Sequence, residues 1–365
     1  MPRLHPTLQP DNFATARMAY GVVGDYAPSS TAVDDIAVAH AGDPCITSYA
    51  WTPGVGFGAK YTAPTTNPLL GTGVAYNANA EVGISHVPTG GASAWRWTPG
   101  GGYTNPYYAG GSSSASGNDL AFCGNSDIAV AFRMSPFFEV YPWTRYTGAG
   151  VKYANPATLP AASSHAIAFC FNRDIAVAHE DSPYITAYPF TPGTGMGVKY
   201  ANPGTLPGGD GRGVAFCGGR DIAVGHEDSP YITAYPWTPF TGFGVKYANP
   251  GTLPGGNAGR ITFCGNTDLA VAHADSPYIT TYPWTPSTGF GVKYANPNVL
   301  PLGDGNDVAF CGNTDIALAH DSLPGVSGYP WTPGTGFGAK YVDPAPLPDQ
   351  IGVGVAFNRG EYWLS

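Results

Sequence analysis

An all-β fold, built from one unit repeated around a ring, is predicted by three features of this sequence of 365 residues. Runs similar to DIAVAH recur every 46 or 47 residues. Four short runs rich in β-branched and aromatic residues fill each interval, and Gly, Pro, Asn and Asp separate them, so no segment is long enough for an amphipathic helix. Periods of about 40 to 50 residues are typical of propeller blades and of some helical solenoids. The strand-forming composition favours a β-propeller with four antiparallel strands in each blade.

One unit, in the middle of the chain, shows the predicted strands in order. Strand a is GVAF at 213–216, strand b is DIAVGH at 221–226, strand c is YITAYPW at 231–237 and strand d is GVKYA at 244–248. The turns between them contain CGGR, EDSP, TPFTG and NPGTLP, which are rich in turn-forming residues. Because neighbouring strands are antiparallel, the b–c and d–a turns lie on one face of the ring, here named the b–c face. The a–b and c–d turns lie on the opposite face, the a–b face.

The number of blades follows from the acidic residues that open strand b. They are Asp35, Glu81, Asp127, Asp174, Asp221, Asp268 and Asp315, with Glu361 as a truncated eighth. From Asp35 the chain provides strands b, c and d of a first blade, then six complete blades, then GVAF at 354–357 as the missing strand a. We therefore predict a seven-bladed propeller over residues 35–365, closed by strands from both termini, which hides the sheet edges.

Two regions at the ends of the chain leave an alternative open. Residues 1–34 are predicted as an N-terminal extension that adds a strand or a docking segment. Together with EYWLS at 361–365 they could instead form an eighth blade.

The repeated unit resembles the WD40 repeat. The resemblance covers residues from about 30 to 365 and rests on VAF followed by a turn, a strand b of small residues, an acidic turn, and a strand c that ends in Trp. It implies a propeller fold. The sequence departs from the family at two points: no Gly-His precedes strand a, and Thr238 follows Trp237 where the family has Asp. The hydrogen-bonded tetrad that ties WD40 blades together is therefore not expected in its usual form. His226 is the candidate for a similar role.

Charge and composition exclude several function classes. Charged residues are 11% of the chain, and the formal net charge is −9 with 16 Lys and Arg, so no basic surface for nucleic acid is expected. The chain has no run of about 20 apolar residues and no apolar signal segment, so we expect neither membrane insertion nor an export signal. Five of the six cysteines occupy one repeat position, too far apart for disulfides between blades. Free, buried thiols are predicted.

A histidine at the end of strand b, followed by acidic residues, is the most prominent candidate for ligand binding. Such a ring of side chains could bind metal ions or sugar hydroxyls. Copies in separate blades diverge from the axis, however, which favours a hydrogen bond from each histidine to the next turn and no metal. No cofactor is predicted. The candidates are His179, His226 and His273 with Asp181, Asp228 and Asp275.

A second repeated position carries a large ring at the end of strand c, at Trp143, Trp237, Trp284 and Trp331. Burial between blades is the favoured interpretation, because aromatic rings contribute large packing terms. If the rings are exposed, they would be platforms for sugar stacking. The third unit differs from the others, and its Arg133 and Phe137 are candidates for a unique docking surface.

The monotony of the repeats predicts a function without catalysis. An active site is one convergent group of special residues, whereas these units are nearly interchangeable. Near-identical propeller repeats with PYITAYPW and KYANP resemble those of bacteriophage and bacterial proteins, which implies a structural or adhesive virion protein of a tail, fibre or capsid. Its predicted location is the virion, and the alternatives are the cytoplasm or release from the cell by lysis. The predicted partners are other virion proteins or further copies of this chain, and the alternative is a multivalent propeller lectin that binds glycans.

Overall fold

The computed structural model of this chain describes residues 34–64, 70–77, 81–87, 91–108, 110, 116–348 and 350–358. The predicted N-terminal extension, apart from Asp34, and EYWLS at the C-terminus lie outside these residues. The described chain forms 28 β-strands arranged in seven sheets of four. The prediction of seven antiparallel blades is therefore confirmed, and the described residues contain no helix that could cross a membrane.

The strands of the first half of the chain form blades 1 to 4. They are β1 (Asp34–His40), β2 (Ile46–Thr52), β3 (Gly56–Lys60), β4 (Leu70–Asn77), β5 (Glu81–Val87), β6 (Ala92–Thr98), β7 (Gly102–Tyr108), β8 (Gly117–Cys123), β9 (Asp127–Phe132), β10 (Phe138–Thr144), β11 (Gly148–Ala149), β12 (Ser164–Cys170), β13 (Asp174–His179), β14 (Ile185–Thr191) and β15 (Gly195–Met196). Blade 1 uses β1 to β3, and each later blade uses the next four strands.

The second half forms blades 5 to 7 and completes blade 1. Its strands are β16 (Gly211–Cys217), β17 (Asp221–His226), β18 (Ile232–Thr238), β19 (Gly242–Phe243), β20 (Ala258–Cys264), β21 (Asp268–His273), β22 (Ile279–Thr285), β23 (Gly289–Phe290), β24 (Gly305–Cys311), β25 (Asp315–His320), β26 (Val326–Thr332), β27 (Gly336–Phe337) and β28 (Gly352–Asn358).

The inner strands close the ring at the centre of the molecule. The sheet of blade 1 has the order β28-β1-β2-β3, so its strand a comes from the C-terminal end of the described chain. Each inner strand contacts the next, and β28 also contacts β4 of blade 2. The predicted closure by strands from both ends is confirmed.

Strand b is small and apolar because both of its faces are covered by neighbouring blades. All six residues of β17 are buried, for example, and the same holds for β13, β21 and β25. The core consists of seven clusters, each formed by residues of two adjacent blades. Blade-to-blade packing is therefore the main source of apolar burial.

The outer strand differs from the prediction. In blade 5 it is the two-residue strand Gly242–Phe243, and the predicted strand GVKYA follows it as an irregular segment. Pro236 of strand c explains the early end, because its carbonyl faces the outer strand and accepts from Gly244 N at 2.8 Å, yet proline has no N–H to return a bond. Val245 is 88% exposed, so this segment contributes little apolar burial.

The blades are joined by a buried carboxylate that opens strand b. Asp221 of blade 5 accepts hydrogen bonds from Tyr247 Oη at 2.5 Å and from Trp284 Nε1 of blade 6 at 3.2 Å. Asp174 forms the same contacts with Tyr200 and Trp237. This acid, and not His226 as the family resemblance suggested, carries the contact between blades.

All six cysteines are free and buried, as predicted. Burial is the main cause that raises the thiol pKa of Cys123, Cys170 and Cys217 to about 12. A thiol with such a pKa is not a nucleophile at neutral pH.

Candidate functional site

Two consecutive positions near the start of each inner strand differ from blade to blade, although the blades otherwise repeat. We name them the axial positions. They are Thr72 and Gly73, Asn118 and Asp119, His165 and Ala166, Arg212 and Gly213, Gly259 and Arg260, Asn306 and Asp307, and Val353 and Gly354. They lie towards the b–c face, because strand a begins there.

The local backbone explains why these positions can carry special side chains. A β-bulge occurs at this point in all seven blades, and in blade 5 it lies between Gly211 and Gly213, so Arg212 has no partner in strand b. Bulges release a residue from the ladder and re-aim its side chain, and they are frequent next to active sites.

The first polar group at the axial positions contains His165 and Arg212 from adjacent blades. His165 Nε2 lies 2.8 Å from Glu180 Oε1 and 2.6 Å from Arg212 Nη1, and the same Nη1 lies 3.0 Å from His165 Nδ1. Arg212 also donates through Nε to Glu227 Oε1 at 2.7 Å. We name these four side chains the His165 cluster.

The His165 imidazole is neutral at ordinary pH. Burial, followed by the nearby Arg212 guanidinium, lowers its pKa to about 4, against the opposing effect of Glu180. Nε2 is within hydrogen-bond distance of both neighbours, so a neutral imidazole at this point either donates to the Glu180 carboxylate or accepts from the Arg212 guanidinium.

The second polar group crosses the central channel. Arg260 of blade 6 donates from Nη2 to the Asn118 backbone oxygen at 2.8 Å, and its Nη1 forms an ion pair with Asp119 of blade 3. Blades 3 and 6 lie on opposite sides of a ring of seven, so this contact, here named the Arg260 bridge, spans the channel.

Asp307 faces the same bridge from blade 7. Its oxygens accept from Val308 N at 2.8 Å and from Val355 N at 2.9 Å. Loss of hydration raises the pKa of Asp307 to about 7, although Arg260 acts in the opposite direction. A carboxyl with such a pKa changes its charge near neutral pH.

Other axial residues tie neighbouring inner strands together. Thr72 donates to the Gly117 oxygen at 2.6 Å, Asn118 to the Ser164 oxygen at 2.7 Å, and Asn306 to the Gly352 oxygen at 2.8 Å. Each acceptor belongs to the next blade. The axial positions therefore serve ring closure, and in blades 3 to 7 they also carry charged or titratable side chains.

The predicted histidines lie at the ends of β13, β17 and β21 with fully buried rings. His226 contacts the Asp228 backbone oxygen through Nδ1 at 2.8 Å and Thr233 Oγ1 through Nε2 at 2.9 Å. His179 and His273 likewise contact Thr186 and Thr280 through Nε2, and their Nδ1 contacts the backbone oxygen of the next residue, Glu180 or Ala274. Their rings are occupied by hydrogen bonds within their own blade, and in the described part of the chain no three His, Cys, Asp or Glu residues group as metal ligands.

The predicted acidic residues lie on the b–c face but do not converge. Asp181, Asp228 and Asp275 are exposed, one each in the b–c turns of blades 4, 5 and 6. The Asp228 backbone oxygen accepts from Tyr231 N at 2.8 Å, which closes the turn.

The predicted tryptophans are buried. Trp143, Trp237, Trp284 and Trp331 are only 2–4% exposed. The Trp237 ring is packed edge-on against Tyr200 and Phe216, with centroid distances of 5.3 and 5.2 Å. These rings therefore offer no open face for sugar stacking.

The two predicted residues of the third unit lie in the b–c turn of blade 3. Arg133 is exposed and donates through Nε to Asn118 Oδ1 at 3.2 Å, so it adjoins the axial positions. Phe137 is half-buried, and its backbone oxygen accepts from Phe132 N at 2.7 Å. Of these two residues, only Arg133 contacts a residue of the axial positions.

The comparisons with known proteins concern the fold. No protein-family model and no curated protein match this chain. A protein of Bacteroides fragilis named "putative 6-phosphogluconolactonase" aligns with a TM-score of 0.68 at 12% identity, over 90% of this chain and 99% of that one. A protein of the same name from Bacteroides uniformis aligns with 0.63 at 14% identity, over 89% and 99%. The WD40 propeller domain of Doa1 aligns with 0.53 at 12% identity, over 80% and 88%.

These findings correct the predicted function. The prediction of a non-enzymatic virion protein is contradicted. Two structural neighbours, each aligned along 99% of its length, are bacterial proteins that carry the name of an enzyme. The lectin alternative is contradicted as well, because the tryptophan rings proposed for sugar stacking are buried. At 12–14% identity the likeness itself shows the fold alone. The WD40-like propeller architecture is supported by the Doa1 domain.

Proposed function

We propose that this chain is a hydrolase for a small anionic lactone, with the lactone of a phosphorylated sugar acid as the first candidate. The observation that carries the proposal is the His165 cluster, where a guanidinium, a neutral imidazole and two carboxylates meet at the axial positions. The name of the Bacteroides propellers supports the choice of substrate class.

Each side chain of the cluster has a chemical role in lactone opening. The Arg212 guanidinium stabilises the negative charge that develops on the carbonyl oxygen. Glu180, held by the His165 imidazole at 2.8 Å, accepts a proton from the attacking water. Arg133, which donates to Asn118 Oδ1 at the neighbouring axial position, pairs with the phosphate of the substrate.

The reaction balances without a cofactor. The water oxygen forms a bond to the carbonyl carbon, and its proton passes to Glu180. The ring C–O bond then breaks, and Glu180 returns the proton to the departing alkoxide. The product is an open-chain hydroxy acid, whose release of acid can be followed directly.

The test is a titration at constant pH of acid released from 6-phosphogluconolactone, with the spontaneous rate subtracted. We expect Arg212→Met to lower kcat/KM about 100-fold, the usual cost of losing one donor to the oxyanion. Arg173→Met is the matched control, because Arg173 is exposed in an a–b turn on the opposite face. Its kcat/KM should equal that of the parent protein.

Two results would contradict the proposal. The first is a rate no higher than the spontaneous one for both 6-phosphogluconolactone and unphosphorylated gluconolactone. The second is an equal loss in the Arg212 and Arg173 variants, which would remove the reaction from the axial positions.

A further inference from the structure

A cavity of about 320 Å³ lies in the central channel beside the Arg260 bridge. Its wall combines the axial residues Asp119, Arg260 and Asp307 with residues that follow the axial positions on the inner strands. Small-molecule sites start at roughly 300 Å³, so the volume suits a ligand of one ring. The four residues of the His165 cluster are not among those that line the cavity.

The polar end of the cavity has an excess of negative groups. Asp119 and Asp307 line it together with the single guanidinium of Arg260. Both carboxyl groups are fixed by backbone donors of the next blade, since Asp119 accepts from Ile167 N and Asp307 from Val355 N, each at 2.9 Å. Arg260 is already paired with Asp119. One carboxyl group therefore lacks a matching positive charge.

The remaining wall is apolar and aromatic. Alanines 75, 309 and 356 leave space, and the residues Tyr76, Phe310 and Phe357 also line it. Thr262 adds a hydroxyl at the position where the other six inner strands have alanine. Aromatic faces attract organic cations, and a hydroxyl oxygen can accept from an ammonium group.

We propose that this cavity is a binding site for a small organic ammonium ion with an apolar body. Its ammonium group pairs with Asp307 and Thr262, and its body contacts the aromatic wall. This site is separate from the proposed lactone site and does not depend on it.

Binding of a cation must be coupled to proton release. Asp307 has a pKa raised to about 7 by burial, and the other charged groups that face it are Arg260 and Asp119. A bound ammonium ion favours the ionised carboxylate and lowers that pKa, so affinity rises as pH rises from 5 to 8. Below pH 7 binding expels up to one proton.

The test uses calorimetry with benzylamine as the probe, in buffers of different ionisation enthalpy at pH 6. We expect one site per chain, with release of a proton. Benzyl alcohol, which has the same ring without the charge, should bind at least tenfold more weakly. Potassium chloride at the concentration of benzylamine should not compete, because the potassium ion has no apolar body.

Three variants locate the site. Asp307→Asn should weaken benzylamine at least tenfold and abolish proton release, whereas Asp304→Asn, three residues away and exposed, should change neither. Ala309→Leu fills the cavity without altering a charge and should abolish binding. Thr262→Ala, which copies the other blades, should weaken binding severalfold.

The proposal is overturned if benzylamine fails to bind. It is also overturned if benzyl alcohol binds equally well, if potassium competes at equal concentration, or if both Asp307→Asn and Ala309→Leu bind like the parent protein.

Discussion

At the scale of single residues, the histidine that ends strand b is held neutral by its surroundings. The His226 ring can donate from Nδ1 to the Asp228 oxygen and accept at Nε2 from Thr233, which leaves no room for a second ring proton. Burial, the largest cause, lowers its pKa to about 4. His320 has the same pKa for the same reason.

This neutrality predicts acid sensitivity of the fold. The folded pKa of His226 lies below the unfolded value of about 6.5, so its contribution to stability is present above pH 6.5 and is lost as pH falls towards 4. At pH 5 the loss amounts to about 2 kcal/mol for one such histidine. We expect His226→Phe, which copies Phe132 of blade 3, to reduce by that amount the difference between the unfolding free energies at pH 7 and pH 5.

Urea unfolding at the two pH values measures this difference. The Thr233 hydroxyl loses its partner in the variant at both pH values, so this cost cancels from the comparison. An unchanged difference between pH 7 and pH 5 would show that His226 is not protonated on unfolding.

The residues of the two polar groups show where prediction from sequence succeeds and where it stops. The repeats predicted the buried tryptophans and cysteines, because packing between identical blades constrains every copy in the same way. Arg212 and Arg260 could not be predicted from the repeats, because their positions do not repeat. The pairs that precede the VAF-like motif of each inner strand are visible in the sequence, but only ring closure shows that they meet.

At the scale of strands, the inner strand β28 joins the two ends of the described chain. It pairs with β1 over Asp35 to His40, and Val355 is buried in the cluster shared by blades 1 and 7. Val353, two residues earlier at an axial position, is only partly buried. A buried and a partly exposed position of one strand can therefore be compared directly.

We expect Val355→Asp to destabilise the protein strongly and Val353→Asp to be tolerated. An unpaired carboxylate in the cluster of blades 1 and 7 has no compensating partner, and such changes cost several kcal/mol. The measurement is the melting temperature of the two variants beside the parent protein. Equal melting temperatures would mean that β28 does not hold blade 1 as described.

The outer strands mark the limit of prediction at this scale. GVKYA has the composition of a strand, yet Pro236 removes a donor from the neighbouring strand c, and only two residues pair regularly. The proline was visible in the sequence. The effect of the proline depends on which neighbouring strand its nitrogen faces. The register of β17, β18 and β19 shows this orientation, and the sequence alone does not.

At the scale of the whole molecule, the ring makes each blade dependent on both neighbours. Every described cluster joins two blades, and six of the seven contain one cysteine each. The cysteines thus mark six of the interfaces between blades. Opening of any marked interface exposes a thiol that is otherwise buried.

A closed ring predicts that these six thiols become reactive together. One interface cannot separate widely while the other six hold the ring, so exposure requires loss of the whole structure. We expect no reaction with a thiol reagent in the native state, and in moderate urea equal labelling rates, within about threefold, at Cys45, Cys123, Cys170, Cys217, Cys264 and Cys311. Mass spectrometry of the distinct cysteine peptides measures each rate.

A substitution that weakens the closure of the ring should change the order in which the cysteines are labelled. In Val355→Asp the interface of blades 1 and 7 should open first, so Cys311 should be labelled ahead of the others, whereas Val353→Asp should keep the parent pattern. Early labelling of a different cysteine in the parent protein would mean that the blades unfold independently. Uniform labelling in both variants would mean that stability is distributed evenly around the ring and does not depend on the shared blade.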